Sequence, residues 1–313
     1  MIDFHEFKKR YEKAEVEHYP TSVSKKPMVS VLVQTYNHEK FIEQCLESIL
    51  SQKTNFNFEI ILGEDESSDN TRSICLEYAK KFPESIRLLL HRKKNKIRVN
   101  GITTGNFNAI YNLFTSKGKY IAFCEGDDFW TDPFKLQKQV DFLGQNDNFS
   151  FCYHKFTEKS TSDNKDFILL DQPDIDLCME NLINLKYHPQ LSTVCFRNIF
   201  SQLPEEILNV INVDSFILSL LGNYGPAKFL GDISPSIYHR HSGGIWTKNE
   251  QILKLQLKAI TFKNLQKYYR NEQKIGAARA FGIYLRNINR SLFVLYLKKK
   301  NIISAMKLTP GIF

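Results

Sequence analysis

The sequence predicts an α/β fold with a mostly parallel central sheet flanked by helices, followed by a helical extension at the C-terminus. Two observations lead to this prediction. Short apolar, β-branched runs alternate with amphipathic helical stripes over residues 28–145, and residues 250–306 are helical in pattern. Strands that alternate with helices pair in parallel through right-handed crossovers, which places the strands in one sheet with helices on its faces.

The predicted elements of the first half follow one another in a regular order. A charged helix carries Phe4, Phe7 and Tyr11 at helical spacing, and a loop over residues 19–27 follows it. The strands after this loop are nearly continuous apolar runs, which is typical of strands buried on both faces. The predicted strands are 29–33, 58–62, 86–90 and 120–124, and the predicted helices are 40–51, 70–82 and 106–114.

Beyond residue 143 the periodicity loosens into short strands and one helix before the C-terminal helices begin. These later elements are predicted strands at 149–153, 191–196, 228–230 and 236–239, a helix at 214–221, and two or three helices within 250–306. The predicted segments are an N-terminal helix and linker at 1–27, an α/β half at 28–145, a second half of the same domain at 146–247 and a basic helical extension at 248–313.

The charge of the chain is concentrated at its C-terminus. The formal net charge is +8, but residues 241–313 hold fourteen Lys and Arg against Glu250 and Glu272, a net charge of +12. The remaining residues are therefore net acidic. This asymmetry indicates an acidic module with a basic appendage that faces an anionic partner.

The apolar runs and the cysteines of the sequence indicate the cellular compartment of the protein. The N-terminus has no apolar run of the signal-peptide kind, and no stretch of the sequence approaches the roughly 20 apolar residues of a membrane span. The six cysteines form no CxxC motif, and each sits among apolar neighbours, so we expect buried free thiols and no zinc site. We expect a cytoplasmic protein, with peripheral attachment to the inner face of the membrane as one interpretation of the basic tail.

Polar segments directly follow three of the predicted strands, at 34–38, 63–69 and 125–128, and the last two are acidic. Ligands of such sheets bind beyond the carboxyl ends of the strands, so these segments mark the functional edge. Converging carboxylates repel one another unless a cation neutralises them, and oxygen ligands suit Mg²⁺ or Mn²⁺. In the alternative interpretation Asp69 is only a helix N-cap and Asp128 only caps a turn.

Three motifs occur in order at a characteristic spacing: VSVLVQTYN at 29–37, GEDESSDNT at 63–71 and GKYIAFCEGDDFW at 118–130. Together they resemble glycosyltransferase family 2, a family of inverting, nucleotide-sugar-dependent enzymes with the GT-A fold. The resemblance covers residues 28–145 well and continues weakly to residue 246. It implies a nucleotide-sugar donor, with UDP expected, a Mn²⁺ or Mg²⁺ cofactor, and a glycan or lipid-linked acceptor in cell-surface polysaccharide synthesis such as that of capsule or O-antigen.

The resemblance also implies roles residue by residue. Thr35 and Tyr36 would lie against the uracil or ribose of the nucleotide, and Asp127, the last acid of the DXD signature, would bind the divalent ion. A carboxylate of the acidic pair after the second strand would accept a hydrogen bond from the base. With the candidates discussed below included, the candidate nucleotide-sugar ligands are Thr35, Tyr36, Asn37, Glu64, Asp65, Glu125, Gly126, Asp127 and Arg240, and the candidate metal ligands are Asp127 and His241.

Two residues depart from the family pattern. Glu125 stands where the first Asp of the signature is usual, and its longer side chain favours contact with ribose or a metal-bound water. Glu66 stands where the second motif usually has Gly. Because that position accommodates unusual backbone geometry in the family, we expect a local difference there.

Asp214 falls where the family carries its catalytic base. By itself, an acid that opens an apolar helix only complements the helix dipole. The resemblance favours the base, which would take the proton of the acceptor hydroxyl as that oxygen attacks the sugar, contributing about 10² to 10⁴ in rate. Attack from the face opposite the leaving group inverts the anomeric centre.

The segment that contains His239, Arg240 and His241 is the other dense polar cluster. His241 is a candidate metal ligand, and Arg240 or His239 is a candidate contact for the diphosphate; a hydrogen-bonded structural loop is the alternative. The segment Ser242-Gly243-Gly244 suits a loop that closes over the nucleotide. Trp130 and Trp246 are candidate sugar platforms or core residues.

The basic tail has two interpretations. The one we favour is attachment to an anionic membrane surface, and the other is helix packing or homo-oligomerisation with solvated charges. Nucleic acid is not expected, because no nucleic-acid module is recognised. The apolar residues assigned to the membrane-facing sides of the helices are Phe262, Tyr268, Phe281, Leu285, Phe293 and Tyr296.

Two other functional classes stay open. A sugar nucleotidyltransferase also uses a metal and an α/β sheet, but it normally has a Gly-rich, basic phosphate loop early in the chain, and residues 33–37 do not form one. A non-catalytic protein that binds nucleotide-sugar or a partner protein is the second alternative. Stabilisation by UDP without turnover on any acceptor would favour that alternative.

Overall fold

The computed structural model describes residues 1–160, 168–169, 172–241 and 251–308. Its strands are β1 (Glu17–His18), β2 (Val29–Thr35), β3 (Phe58–Glu64), β4 (Ile86–Leu90), β5 (Arg98–Val99), β6 (Ile102–Thr103), β7 (Tyr120–Phe123), β8 (Phe151–Tyr153), β9 (Phe156–Ser160), β10 (Ile168–Leu169), β11 (Cys195–Arg197), β12 (Ala227–Phe229) and β13 (Ser236–Arg240). Eight of them form one sheet in the order β1-β4-β3-β2-β7-β11-β8-β12.

The core of this sheet is parallel, as the sequence predicts. β4, β3, β2 and β7 run parallel to one another, whereas β11 pairs antiparallel with both β7 and β8. The four parallel strands are almost wholly buried, which explains their apolar, β-branched composition. Their carboxyl ends therefore meet at one edge of the sheet.

Helices cover both faces of the sheet. They are α1 (Phe4–Tyr11), α2 (Ile42–Leu50), α3 (Thr71–Lys81), α4 (Asn106–Thr115), α5 (Lys135–Gln145), α6 (Met179–Ile183), α7 (Val213–Leu221), α8 (Gln251–Asn271), α9 (Ile275–Lys298) and α10 (Ile302–Met306). α2, α3 and α5 bury one face with residues such as Ile49, Cys75 and Leu143. α1, α4, α7, α8 and α9 bury the other face, where Phe107 and Phe216 lie. The predicted α/β architecture with a C-terminal helical region is confirmed.

Three local predictions are wrong. The N-terminal linker contains β1, which pairs antiparallel with β4 and is too short to show a periodicity. The strand predicted at 191–196 is a 3₁₀ turn, Leu191–Thr193, followed by β11. The N-cap of α3 is Asn70, not Asp69; the Asp69 carboxylate accepts hydrogen bonds from the backbone N–H groups of Thr71 (3.0 Å) and Glu39 (3.2 Å). Asp69 therefore joins two loops while it satisfies a donor at the start of α3.

A small second sheet brings the His239 region to the main sheet. β13 pairs in parallel with β9, and β9 pairs antiparallel with β10. Phe129 and Ile237 exchange backbone hydrogen bonds of 3.2 and 2.8 Å. This bridge lays the end of β13 over the segment that follows β7.

The C-terminal helices pack on the domain and on each other. Phe262 in α8 is 8% exposed and Phe281 in α9 is fully buried, and their rings lie 5.5 Å apart. The prediction that these two side chains face a membrane is therefore wrong, because packing between the helices buries their apolar surface. In the described part of the chain, no helix combines the length and the apolar character that crossing a membrane requires.

The cysteines are free, as predicted, but they are not all buried. Cys45, Cys75, Cys124, Cys152 and Cys195 are buried, and Cys178 is exposed. Cys178 directly precedes α6, where the chain lies at the surface. Its apolar neighbours in the sequence therefore did not indicate its exposure.

Candidate active site

Three neighbouring strands present polar side chains at one edge. Thr35 at the end of β2 is the register partner of Glu64 at the end of β3. Beyond the strands the backbone remains joined, since the N–H of Asp65 donates to the Thr35 carbonyl (3.1 Å) and the N–H of Gly126 donates to the Gln34 carbonyl (2.9 Å). The acidic segments predicted to converge therefore lie on either side of the end of β2.

One carboxylate and two imidazoles meet at this edge. The Nε2 atom of His241 lies 3.0 Å from Oδ2 of Asp127, and the Nε2 atom of His38 lies 3.8 Å from the same oxygen. One ligand atom from each residue lies within 4.8 Å of the other two, and all three side chains are half-buried. Imidazole nitrogen together with carboxylate oxygen is a donor set that Mn²⁺ and other first-row divalent ions accept.

The electrostatics of this triad suit a cation. Burial raises the pKa of Asp127, but the hydrogen bond with His241 and the nearby histidine charges outweigh that effect and lower the pKa overall, so the carboxylate is ionised. Burial lowers the pKa of His38, which favours the neutral imidazole that metals bind. Among the described residues the Nδ1 atom of His38 has no hydrogen-bond partner. A bound metal ion would contact the Nε2 atoms of His38 and His241. Its positive charge would compensate the negative charge of the Asp127 carboxylate.

Gly126 has a packing reason to be glycine. A Cβ atom at this position would lie 2.8 Å from both Cβ and Oγ1 of Thr35 and 2.9 Å from Nδ1 of His38. Such distances are too short for carbon contacts. The glycine therefore lets the segment that carries Asp127 approach the end of β2, and with it the candidate nucleotide residue Thr35.

The two acids beside Asp127 behave differently. Burial and the charges of Asp127 and Asp214 raise the pKa of Glu125 to about 8. Burial and the charges of Asp127 and Glu125 also raise the pKa of Asp128, and its side chain is held by the N–H of His239 (3.1 Å) and by Nε2 of Gln190 (3.2 Å). Through these two hydrogen bonds Asp128 joins β13 and the loop that contains Gln190 to the sheet edge. Glu125, by contrast, is affected by the charges of both Asp127 and Asp214.

The two acids at the end of β3, Glu64 and Asp65, each form an ion pair with a basic side chain. Glu64 is buried and forms an ion pair of 2.5 Å with Arg72, and it also accepts the N–H of Ser67 (2.7 Å). Asp65 pairs with Lys96 at 3.1 Å. Burial outweighs this pair and raises the pKa of Asp65 to about 6. Of the two carboxylates, Asp65 is the better candidate for a ligand, because the contacts of Glu64 hold the loop itself.

Tyr36 and Asn37 complete the turn after β2. The Tyr36 side chain is 40% exposed, and Nζ of Lys96 lies 3.4 Å from its ring centroid. Asn37 has a positive φ of 56° and its Oδ1 accepts the N–H of Ser68 (2.8 Å). The ring of Tyr36 is thus open to a ligand, while Asn37 joins this turn to the loop after β3.

Glu66 adopts an unusual backbone conformation at the position where the family pattern usually has Gly. Its φ is 56°, in the left-handed region that favours glycine. The Glu66 carboxylate accepts a 2.5 Å hydrogen bond from the N–H of Lys93. This contact anchors the basic loop that carries Lys96 and compensates for the cost of the backbone conformation.

Asp214 lies in the first turn of α7, at a cavity of about 290 Å³. Its Oδ2 atom is 3.3 Å from Nε2 of His188, which also lies 3.0 Å from Oγ of Ser215. Burial opposes the charges of both partners, yet their mutual hydrogen bond and attraction lower the pKa of Asp214 and raise the pKa of His188. The arrangement is a carboxylate–imidazole pair that faces an open cavity.

The remaining predicted residues occupy varied surroundings. Arg240 is exposed, with Nη1 3.4 Å from Oε2 of Glu158, and its diphosphate contact stays a prediction. Trp130 is buried, and its Nε1–H donates to the Ser192 carbonyl at 2.9 Å, so it belongs to the core. Trp246 and the predicted loop at 242–244 lie outside the described residues.

Two histidines of the candidate site, His38 and His188, were not predicted from the sequence. His38 belongs to the polar segment after β2, and its position at the same sheet edge as the acidic segments was a usable signal. His188 lies 26 residues before Asp214 in a loop with no periodicity. Only the fold brings His188 to Asp214, so no spacing rule could have found it.

The architecture is that of the GT-A glycosyltransferases. Staphylococcus aureus TarS in complex with UDP-GlcNAc superposes with a TM-score of 0.52 at 15% identity, over 90% of each chain. The mannosyltransferase PcManGT of Pyrobaculum calidifontis in complex with GDP-Man and Mn²⁺ gives a TM-score of 0.50 at 16% identity, over 97% of this chain and 84% of that one. At these identities the likeness concerns the fold alone, and it confirms the predicted fold class.

Sequence comparison shows which family part of the chain is similar to. Residues 30–169 match glycosyl transferase family 2. An uncharacterized protein of Mycobacterium tuberculosis is 30% identical over 222 residues, 70% of this chain and 60% of that protein. The putative teichuronic acid biosynthesis glycosyltransferase TuaG of Bacillus subtilis is 33% identical over 118 residues, 38% of this chain and 42% of that protein. The chain thus spans at most 60% of the length of these two relatives.

Proposed function

We propose that the protein transfers a sugar from a nucleotide-sugar, with UDP as the nucleotide, to a hydroxyl group of a glycan or lipid-linked acceptor, with inversion at the anomeric carbon. The observation that carries the proposal is that two carboxylate–imidazole units both act on the same side chain, Glu125. Asp127 with two imidazoles forms one unit, and Asp214 with His188 forms the other. Both charges act on Glu125, so the two units are near neighbours.

The nucleotide site is proposed at the turn after β2. The exposed ring of Tyr36 offers a stacking face for a base, and Asp65 offers a carboxyl group that accepts a hydrogen bond from a base N–H. Lys96 contacts both groups and is positioned to move toward a phosphate when a nucleotide enters. Thr35, whose buried Oγ1 has no partner among the described residues, is the candidate ribose contact.

Asp127, His38 and His241 are proposed to hold a divalent cation, Mn²⁺ or Mg²⁺. The fit rests on the ionised carboxylate, the neutral His38 and the close approach of their ligand atoms. When bound, such an ion offsets the negative charge that develops on the diphosphate leaving group. The mannosyltransferase with the similar fold is bound to Mn²⁺, which supports the choice of that ion.

Asp214 is proposed to take the proton from the acceptor hydroxyl. Its lowered pKa keeps the carboxylate ionised, and His188 fixes its orientation. A carboxylate within hydrogen-bond reach of the hydroxyl, at about 3 Å, makes the oxygen a better nucleophile as the C1–O bond forms. The proton then resides on Asp214 or passes through His188 to solvent.

A role in cell-surface polysaccharide synthesis is proposed for the acceptor side. The relative TuaG is named for teichuronic acid biosynthesis, a cell-wall polymer pathway, and this supports a glycan or lipid-linked acceptor. A non-catalytic binding protein is the less favoured function, because the Asp214–His188 pair faces a cavity that binding of a nucleotide alone does not need.

Peripheral attachment to an anionic membrane surface is proposed for the C-terminal end. Ile302, Ile303 and Met306 of α10 are 61%, 71% and 65% exposed. They lie beside the basic run 298–300 and Lys307. Exposed apolar side chains ringed by lysines suit a surface of anionic lipid, where a lipid-linked acceptor would also reside. Oligomerisation through the same side chains is the alternative.

The function is tested with a panel of nucleotides and nucleotide-sugars. Melting of the protein is followed with each ligand, with and without Mn²⁺, and the nucleotide-sugar that stabilises is then incubated with candidate glycan acceptors. We expect one nucleotide-sugar to stabilise the protein and to release its nucleoside diphosphate when an acceptor is present. Stabilisation by none of the nucleotide-sugars would contradict the proposal, and stabilisation without turnover on any acceptor would favour the binding protein.

A further inference from the structure

The cavity beside Asp214 is built partly by the basic C-terminal extension. Its lining comprises Leu185, His188, Asn212, Asp214, Ser215, Lys258, Thr261 and Phe262, of which the last three belong to α8. Its volume of about 290 Å³ is near the lower end of small-molecule sites, which begin at roughly 300 Å³. The extension is therefore a wall of the candidate site and not only an appendage.

α8 is joined to α7 by specific contacts. The hydroxyl of Tyr269 donates to the carbonyl of Ser219 at 2.9 Å and also lies 2.8 Å from its Oγ atom. The hydroxyl of Thr261 lies 3.4 Å from Oδ1 of Asn212, two residues before Asp214. These contacts fix α8 against the helix that carries Asp214, so the α8 residues that line the cavity are held beside it.

The charges of the lining are unequal. His188 pairs with Asp214, and this pair compensates its own charges. Lys258 is exposed and lies 5.4 Å from the ring centroid of Phe262. No carboxylate among the described residues forms an ion pair with Lys258. The cavity thus has an apolar wall at Leu185 and Phe262, polar atoms at Asn212 and Thr261, and a lysine, Lys258, that no carboxylate of the described residues pairs with.

We propose that this cavity receives the acceptor, and that Lys258 selects an acceptor sugar with an anionic group, either a carboxylate or a phosphate. This inference rests on the proposed function, because it assigns the cavity to the substrate that Asp214 would deprotonate. The apolar wall suits one face of a sugar ring, and the amide and hydroxyl suit its hydroxyl groups. A charge-assisted bond from Lys258 then discriminates anionic from neutral sugars.

The test compares three probe sugars by ligand-observed NMR titration: methyl β-D-glucuronide, glucose 6-phosphate and the neutral methyl β-D-glucoside. Titrations are run with and without UDP and Mn²⁺, on the wild type, on Lys258→Ala and on Lys263→Ala. Lys263 is exposed on the same helix but does not line the cavity, so its variant controls for loss of general charge.

In the wild type we expect at least one anionic sugar to bind about tenfold more tightly than the neutral glucoside. Lys258→Ala should abolish this preference, and Lys263→Ala should retain it. A preference for the glucuronide would identify a carboxylate, and a preference for the sugar phosphate a phosphate. Equal affinities in the wild type, or a preference that survives Lys258→Ala, would overturn the inference. Failure of UDP to bind would instead contradict the proposed function, since the sugar titrations without UDP still report on Lys258.

Discussion

The Nε2 atom of His188 lies 3.3 Å from Oδ2 of Asp214 and 3.0 Å from Oγ of the adjacent Ser215. One imidazole nitrogen therefore meets two successive residues in the first turn of α7. Because the imidazole comes from a separate loop, the position of the Asp214 carboxylate is fixed from outside its own helix. This arrangement distinguishes Asp214 from an acid that only complements a helix dipole, and it leads to the first two predictions.

Asp214→Asn should abolish most of the transferase activity and leave nucleotide binding intact. The amide keeps the size of the side chain but cannot accept a proton, and a general base typically contributes about 10² to 10⁴ in rate. The turnover number and the affinity for UDP are measured on the same preparation. Asp147→Asn, the same change at a side chain that is 90% exposed, is the control and should transfer sugar normally. Transfer by Asp214→Asn at near the wild-type rate would place the base elsewhere.

His188→Gln should move the acid limb of the pH–rate profile to higher pH. Burial raises the pKa of Asp214, and the hydrogen bond and charge of His188 are what lower it. Without His188 the carboxyl pKa rises, so the base becomes protonated at a pH where the wild-type carboxyl is still ionised. The profile of kcat/KM against pH is compared with that of Ser215→Ala, which removes a neutral contact of the same imidazole. A limb that does not move in His188→Gln would contradict the assigned pairing.

Gly126→Ala should impair both the metal site and the nucleotide site. The added Cβ would lie within 2.9 Å of Nδ1 of His38 and 2.8 Å of the Thr35 side chain, so one of these neighbours must move. Overpacking of this kind typically costs about 1–3 kcal/mol of stability. Unfolding free energy and Mn²⁺-dependent UDP binding are measured together. Gly144→Ala, inside α5 where a Cβ meets no atom within 4 Å, is the control; it should leave UDP binding unchanged and should not lower the unfolding free energy.

Replacing Ile302 and Ile303 together with Ser should weaken binding to anionic vesicles. The two side chains are 61% and 71% exposed beside a run of three lysines, so their apolar surface and the charges act together. Co-sedimentation is measured with phosphatidylglycerol and with phosphatidylcholine vesicles, at about 0.1 M and 1 M salt, where the Debye length falls from about 10 to 3 Å. Ile275→Ser, at an equally exposed position at the start of α9, is the control.

We expect the wild type to sediment with anionic vesicles at low salt only, and the control to behave like the wild type. Sedimentation of none of the proteins, together with a dimer that the double substitution dissociates, would show that α10 is an oligomer interface. Equal sedimentation with both lipids would show that apolar insertion dominates over charge.

Much of the fold could be predicted because its signals are local. β2, β3, β4 and β7 are buried on both faces, so each is a continuous apolar run that the sequence displays directly. The elements that were missed depend on tertiary pairing. β1 is two residues long, and it is a strand only because it pairs antiparallel with β4.

The candidate site likewise contains residues that local sequence signals predict and residues that only tertiary contacts bring there. The segment with Asp127 follows a predicted strand, so its place at the sheet edge followed from topology. The partner His188 comes from an irregular loop, and the contribution of α8 to the cavity depends on packing between distant helices. The engagement of Glu64 by Arg72 was likewise invisible, because an ion pair leaves no periodic pattern in the chain.

The central claim is that Asp127, with His38 and His241, couples nucleotide binding to a divalent cation. The most direct measurement is calorimetric titration of UDP into the wild type and into Asp127→Asn, each in Mn²⁺ and in EDTA. The control is Asp147→Asn, at a side chain that is 90% exposed. We expect UDP to bind the wild type and the control at least tenfold more tightly in Mn²⁺ than in EDTA, and Asp127→Asn to lose this difference. Equal affinity of the wild type for UDP in Mn²⁺ and in EDTA would contradict the central claim.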